Sequence, residues 1–334
     1  MAAALPVDLR GRRIFLTGGT GFLGRSMLDA IAECVAVHPG ETTVTVLSRD
    51  PAAFLASHPR YARLPWLRWR AGDVMHLDAN VDAAPDGYTD VLHGAAHSHR
   101  AGDALAWIDQ IYRGTRRALA FAVATGATRF LNVSSGAVYG PQPATLECLP
   151  ESYTGAPSPA LVTSAYGQAK RLAEQACTVV AASHAIEVVH ARCFALVGEH
   201  VPLDGSFAIG NFLRDALHRD RIVVSGDGQD VRTYLDARNA AHWMLLLMRH
   251  GRAGDAYNVG SDEETTIGDL ARRIARLVSP GKPVVVEGAR SDAVRSRYVP
   301  DVSKAFALGA SVSPALDGAI VRAAAALRGT APRA

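Results

Sequence analysis

Two hydrophobic periods share the first two hundred residues of this chain. Short apolar runs, Arg13–Thr17, Thr43–Leu47, Leu67–Arg70, Val91–His93 and Arg129–Val133, predict strands. Between them, Phe22–Val37 and Ala104–Thr125 carry apolar residues three and four apart and predict helices. A further long helix is predicted over Tyr166–Ser183, then a strand over Glu187–Arg192. Strand and helix in strict alternation predict an α/β fold, a doubly wound parallel sheet covered on both faces. Beyond about residue 190 the alternation loosens, and Pro202, Gly205, Gly210, Gly226 and Gly228 mark turns. The expected organisation is a main domain over residues 1–190 and a smaller C-terminal lobe over 191–334. A helix over Ala240–Arg249 and a strand over Ala256–Val259 are expected to bring the chain back to the main sheet at about 235–260.

The first strand runs directly into Thr17-Gly18-Gly19-Thr20-Gly21-Phe22-Leu23-Gly24. A tight strand-to-helix turn needs backbone angles that glycine reaches freely. A pyrophosphate can approach the helix N-terminus only where side chains are absent. The flanking strand and helix, more than the glycine triplet itself, make this a dinucleotide-binding turn on a Rossmann sheet. The second strand ends at Leu47-Ser48-Arg49-Asp50, where an acidic residue against the ribose hydroxyls would mark NAD. Ser48 stands at that place, and Arg49 offers a fork for a 2′-phosphate, which tilts the choice of NAD or NADP toward NADP. The alternative has Arg49 on the adenine or in water and Asp50 on the ribose.

Ser164-Ala165-Tyr166-Gly167-Gln168-Ala169-Lys170 sets a tyrosine and a lysine four apart, on one face of a helix. There the ammonium is expected to lower the phenol's pKa and to hold the cofactor ribose, so that a phenolate can take a hydroxyl proton near neutral pH. The chain holds only three lysines against nine tyrosines. Random placement gives about 0.08 such pairs, so the spacing is informative. The fifth strand leads into Val133-Ser134-Ser135-Gly136-Ala137-Val138-Tyr139, delivering a serine to the sheet edge where ligands bind in open α/β folds. The ordinary alternative for both serines is turn or capping duty.

Together these segments resemble the extended short-chain dehydrogenases that modify nucleotide sugars, from the glycine turn to about residue 310. The resemblance implies catalysis by Ser135, Tyr166 and Lys170. It implies a tightly bound NAD(P) contacted by Gly18, Thr20, Gly21, Phe22, Leu23, Gly24, Ser48, Arg49, Asp73, Val74, Ala95, Ala96 and Ser134. Ser134 is read as a structural or nicotinamide contact. For a nucleotide-diphosphate sugar it points to His97, Ser98, Asn211, Arg232 and Arg290, the arginines as a phosphate clamp, although surface salt bridges suit both. Two departures touch the substrate side: Ile111 and Ala195 stand where the family often has asparagine. A third bears on the reaction. Gly136 and Ala137 occupy the places of the Asp-Glu pair with which the family's dehydratases lose water, and neither can move a proton.

The resemblance therefore implies an epimerase working through a 4-keto sugar. A dehydratase, decarboxylase or ketoreductase is the alternative, and a dinucleotide-sensing regulator the non-enzymatic one. Composition narrows the field little further. Nearly half the 334 residues are apolar, the formal charge is +3, and basic residues are scattered, so nucleic acid is not expected as a partner. Cys34, Cys148, Cys177 and Cys193 form no C-x-x-C, so no metal is expected. No apolar run reaches the roughly 18 residues of a membrane span, and the order of apolar and basic residues near the N-terminus is the reverse of a secretory signal. The cytoplasm is the expected location, and the resemblance implies a homodimer.

Overall fold

The structure is a computed structural model describing residues 7–78, 86–95, 104–203, 207–289 and 295–329. Its centre is a seven-stranded parallel sheet. The main-sheet strands are β1 (Arg13–Thr17), β2 (Thr43–Ser48), β3 (Leu67–Ala71), β4 (Asp90–His93), β5 (Arg129–Ser135) and β6 (Glu187–Cys193). Later come β7 (Leu196–Val197), β8 (Ile222–Val224), β9 (Val231–Thr233), β10 (Leu235–Asp236) and β11 (Ala256–Val259). The last are β12 (Glu264–Thr266), β13 (Val284–Val286) and β14 (Arg297–Tyr298). The sheet order is β11-β6-β5-β4-β1-β2-β3. The chain therefore reverses direction across the sheet between β1 and β4, where an open α/β sheet leaves a crevice at its carboxyl edge.

Alternate residues of each strand enter opposite cores, as the pleat requires. Ile14, Leu16, Leu92, Leu131, Val133, Val189 and Ala191 meet Met27, Leu28 and Ile31 of the helix Phe22–Val37 and Trp243, Met244 and Leu247 of the helix Ala237–His250. Phe15, Val91, Phe130 and Val188 face Ala118, Leu119, Phe121 and Ala122 of the helix Ala104–Ala124 on the other side. Each fully buried Leu or Ile contributes about 1.5–3 kcal/mol, so burial on both faces anchors the sheet between helix layers. A third core, with Phe212, Leu213, Leu270, Ile274 and Ile320, joins the helices Ala208–His218, Ile267–Val278 and Leu316–Leu327 around β8. The strand predicted over Ala256–Val259 extends the main sheet beside β6. Val302, Ala305 and Ala310 pack into the first core, so the chain returns to the main body once more near its end. Among the described residues no helix is long and apolar enough to cross a membrane.

Candidate active site

A cleft of about 1290 Å³ opens at the carboxyl edge of the sheet. That exceeds the roughly 300–1,000 Å³ of a single-ligand pocket and suits two ligands side by side. Its walls bring together Gly18, Thr20, Gly21, Phe22, Leu23, Gly24, Ser48, Arg49, Asp73, Val74, Ala95, Ser134, Ser135, Tyr166, Lys170, Asn211 and Arg232. Ala96, His97, Ser98 and Arg290 lie outside the described residues.

The glycine turn is built by close packing. Gly18 has φ +78°, and a Cβ there would stand 2.6 Å from the Gly94 carbonyl carbon. A Cβ at Gly24 would run into the Gly18 carbonyl oxygen. Gly21 meets nothing nearer than 3.4 Å, so its outer side opens to the cleft. Gly21 is also the N-cap of the helix Phe22–Val37 and supplies no side-chain acceptor to the first-turn N–H groups. Those donors and the positive end of the helix dipole suit a pyrophosphate. Gln110 lines the same cleft with a buried Oε1 that has no hydrogen-bond partner among the described residues, an acceptor suited to an amino group. The residues present thus fit a dinucleotide. At the ribose end Asp50 caps the helix Pro51–Ser57, accepting from Ala53 N at 2.9 Å, while exposed Arg49 and buried Ser48 line the cleft. Asp73 accepts from Met75 N at 2.9 Å and so fixes the turn that presents Val74.

Beneath the turn, directed hydrogen bonds join β1, β4 and the helix Ala104–Ala124. Thr115 spends its proton on the Ile111 carbonyl (2.7 Å), so its oxygen must accept from His93 Nε2–H (3.2 Å). His93 Nδ1 then accepts from the Thr17 hydroxyl (2.8 Å), which in turn accepts from Ala95 N (3.2 Å). Burial, aided by the Lys170 charge, pushes His93 down to about 3 and keeps it neutral.

β5 runs two residues beyond its predicted end and carries Ser134 and Ser135 to the cleft. The helix Ala165–Ala181 points Tyr166 and Lys170 into the same space. Ser135 lines the same wall and accepts from Ala137 N at 3.2 Å. Lys170 Nζ donates to the Val133 carbonyl at 2.8 Å and lies 5.9 Å from the Tyr166 ring centre. The electrostatics differ from expectation. Burial pushes the Tyr166 phenol up to about 12, with Ser135 opposing, and pushes Lys170 down to about 8. The ammonium does not lower the phenol here, because an enclosed wall penalises both charged forms more than their separation lets them help each other.

The Ser134 hydroxyl donates to Glu174 Oε1 at 2.5 Å. Glu174 forms a two-pronged pair with Arg192 (2.7 and 3.0 Å), whose guanidinium covers the Tyr139 ring. Burial alone would raise the Glu174 carboxyl, but the hydrogen bonds and charge of Arg192 outweigh it and hold it below the usual carboxylate range. Arg232 donates to the carbonyls of Val231 and Ser296 and to Asp230. Asn211 Oδ1 accepts from Arg214 at 3.3 Å.

Three cleft residues had no signal in the sequence: Gln110, Cys193 and Tyr298. Tyr298 sets its hydroxyl against Gly136 and its ring against Phe194. A Cβ at Gly136 would overlap its hydroxyl and stand 2.8 Å from the Phe194 ring.

Residues 14–260 match the model of a family described as the NAD dependent epimerase/dehydratase family. The dTDP-glucose 4,6-dehydratase of Streptomyces niveus is 26% identical over 86% of this chain and 81% of its own length. UDP-glucuronic acid decarboxylase 6 of Arabidopsis thaliana is 28% identical over 88% of this chain and 82% of its own. Among solved structures, the UDP-N-acetylglucosamine 4-epimerase of Methanobrevibacter ruminantium superposes with TM-score 0.82 at 18% identity, covering 95% of this chain and 98% of that one. The dTDP-glucose 4,6-dehydratase of Streptomyces venezuelae, solved with NAD, gives 0.79 at 24% over 95% and 97%. At such identities the structural likeness establishes the fold.

Proposed function

Because the chain belongs to the NAD dependent epimerase/dehydratase family, we propose that it is a nucleotide-sugar epimerase that oxidises its substrate transiently at sugar carbon 4. NAD(P), when bound, would supply a hydride acceptor and donor for that carbon. The glycine turn, Ser48, Arg49, Asp73, Val74 and Ala95 are the residues proposed to hold the dinucleotide. Tyr166, raised to about 12 by burial, would need the positive charge of a bound nicotinamide beside that of Lys170 to ionise, and would then take the hydroxyl proton and later give it back. Ser135 donates a hydrogen bond to the reacting oxygen, and Lys170 lends positive charge and a ribose contact. The transient ketone turns and receives hydride on its opposite face, so the centre inverts with no net redox change. Asn211 and Arg232 are proposed to meet the sugar nucleotide, Arg232 by exchanging its carbonyl partners for phosphate oxygens.

One observation carries the choice of reaction. Ser135, Tyr166 and Lys170 line one cleft with the glycine turn, yet the space for a side chain at residue 136 is filled by the Tyr298 hydroxyl. Loss of water needs an acid and a base beside the ketone. Gly136 and Ala137 supply neither. Protein incubated with a panel of UDP- and dTDP-sugars, without added cofactor, is expected to give carbon-4 inversion by NMR. Absence of inversion across the panel removes the proposal. Decarboxylation is the second reading, favoured by the similarity to plant proteins of that name. Oxidation at carbon 4 of a glycuronate gives a β-keto acid, and carbon dioxide from the UDP-glucuronate arm would select it.

We extend the proposal to a homodimer in the cytoplasm, divided at about residue 190. For the cofactor we propose a preference for NADP through Arg49. Arg49→Ala should weaken NADP binding about tenfold or more and leave NAD unchanged in calorimetry.

A further inference from the structure

We propose that Gln110 selects the base of the cofactor: its side-chain carbonyl accepts a hydrogen bond from the 6-amino group of the adenine ring. The proposal rests on the dinucleotide reading of the cleft and is independent of the reaction at carbon 4. Gln110 lines that cleft, and its Oε1 is buried with no hydrogen-bond partner among the described residues. A buried acceptor without a donor is destabilising, and folded proteins keep few of them. Beside a ligand cleft, such an acceptor is satisfied when the ligand brings an N–H of its own.

The fold puts Gln110 at the base's end of the dinucleotide. β4 and β5 are parallel neighbours, so the helix Ala104–Ala124 between them starts at the carboxyl edge of the sheet and runs back. Residues four apart share a helix face. On that face Gly114 packs against the turn after β3, where a Cβ would stand 3.3 Å from Val74 Cγ1 and 3.9 Å from Met75 Sδ. Gln110 is one turn nearer the crevice, above that turn. The next residue, Ile111, faces elsewhere and packs with Tyr166, Ala169 and Ala173. In a Rossmann crevice the adenosine ribose meets the end of the second strand. Here that is Ser48 and Arg49, and the cleft wall continues outward through Gly72, Asp73 and Val74 at the end of β3. Adenine joined to ribose has one N–H donor, its 6-amino group. A carbonyl at that wall therefore matches adenine, while a 6-oxo purine presents oxygen to oxygen.

The test strips the purified full chain of resident dinucleotide and titrates it calorimetrically with NAD and with nicotinamide hypoxanthine dinucleotide, which carries a carbonyl oxygen in place of the amino group. The 2′-phosphorylated forms of both serve if the chain takes only those. The parent is expected to prefer the amino form about three- to tenfold. Gln110→Leu should bring the two affinities within about twofold of each other. Gln110→Glu in mildly alkaline buffer, an acceptor that cannot turn over to offer an N–H, should widen the preference about tenfold further, and it covers a Leu variant that fails to fold. An affinity ratio that is the same in parent and variants overturns the inference. A chain that binds neither dinucleotide would sink the cofactor reading and this inference with it. A ratio that responds as expected, with no sugar inverted across the panel, would sink only the epimerase reading.

Discussion

Lys170 and Glu174 sit one turn apart on the same buried helix face, and the protein treats their charges in opposite ways. Glu174 is paired on both oxygens with Arg192 and also accepts from Ser134. Among the described residues Lys170 has no carboxylate partner; a single carbonyl, that of Val133, accepts from it. The paired ion keeps its charge below the usual carboxylate range, while the lysine is driven toward neutrality. A buried charge is tolerated as structure only when its partner is buried with it. An ion left short of a partner marks the place where the fold holds something ready for chemistry.

The contrast is sharpened most by Tyr166→Phe. It should lower the turnover of a competent substrate about 10²–10⁴-fold, the usual worth of a positioned acid–base group, while the dinucleotide still binds. A comparable loss of dinucleotide affinity in a binding titration would break the division of roles. Next comes Glu174→Gln, which strands Arg192 and should cost about 3–5 kcal/mol in urea unfolding at pH 7. A cost below about 1 kcal/mol would mean the pair is no more structural than its neighbour. The smallest effect has the opposite sign. Lys170→Met should stabilise the protein at pH 7 by on the order of 2 kcal/mol while abolishing turnover. The lysine's folded value, about 8, lies below the unfolded 10.5, so below pH 8 it is charged in both states and its burial penalty is complete. The penalty fades as pH rises from 8 to 10.5. Urea melts at pH 7 and 10 should therefore show the gap between variant and parent closing, and a gap that widens would reverse the assignment.

What was legible in the chain is what neighbours in sequence decide. β1, the glycine turn and the helix after it are contiguous, and Tyr166 and Lys170 share one helix turn, so periodicity and spacing sufficed. Ser135 was reachable because a strand end points at the crevice. Tyr298 was not, because it reaches the cleft only through the pairing of a two-residue strand with β9, and a two-residue strand has no period to read. Burial was equally hidden. Spacing put an ammonium near a phenol, but not the closed wall that raises one and lowers the other. Ser134 offered both a structural and a cofactor role, and its bond to Glu174 could not be read from the chain because residue 174 lies forty positions away. Arg232 was visible as a cation, its present bonds to Val231, Ser296 and Asp230 were not.

The bonds from Ala95 through Thr17 and His93 to Thr115 and Ile111 admit one direction only. If the imidazole gained a second proton it could no longer accept from Thr17, whose oxygen would instead take the Nδ1–H beside the Ala95 amide and be left to find another acceptor for its own proton. Such a joint is a latch keyed to acid, set far below any pH at which the protein would work. At the sheet's reversal point the imidazole therefore stays neutral, and the direction of these bonds stays fixed.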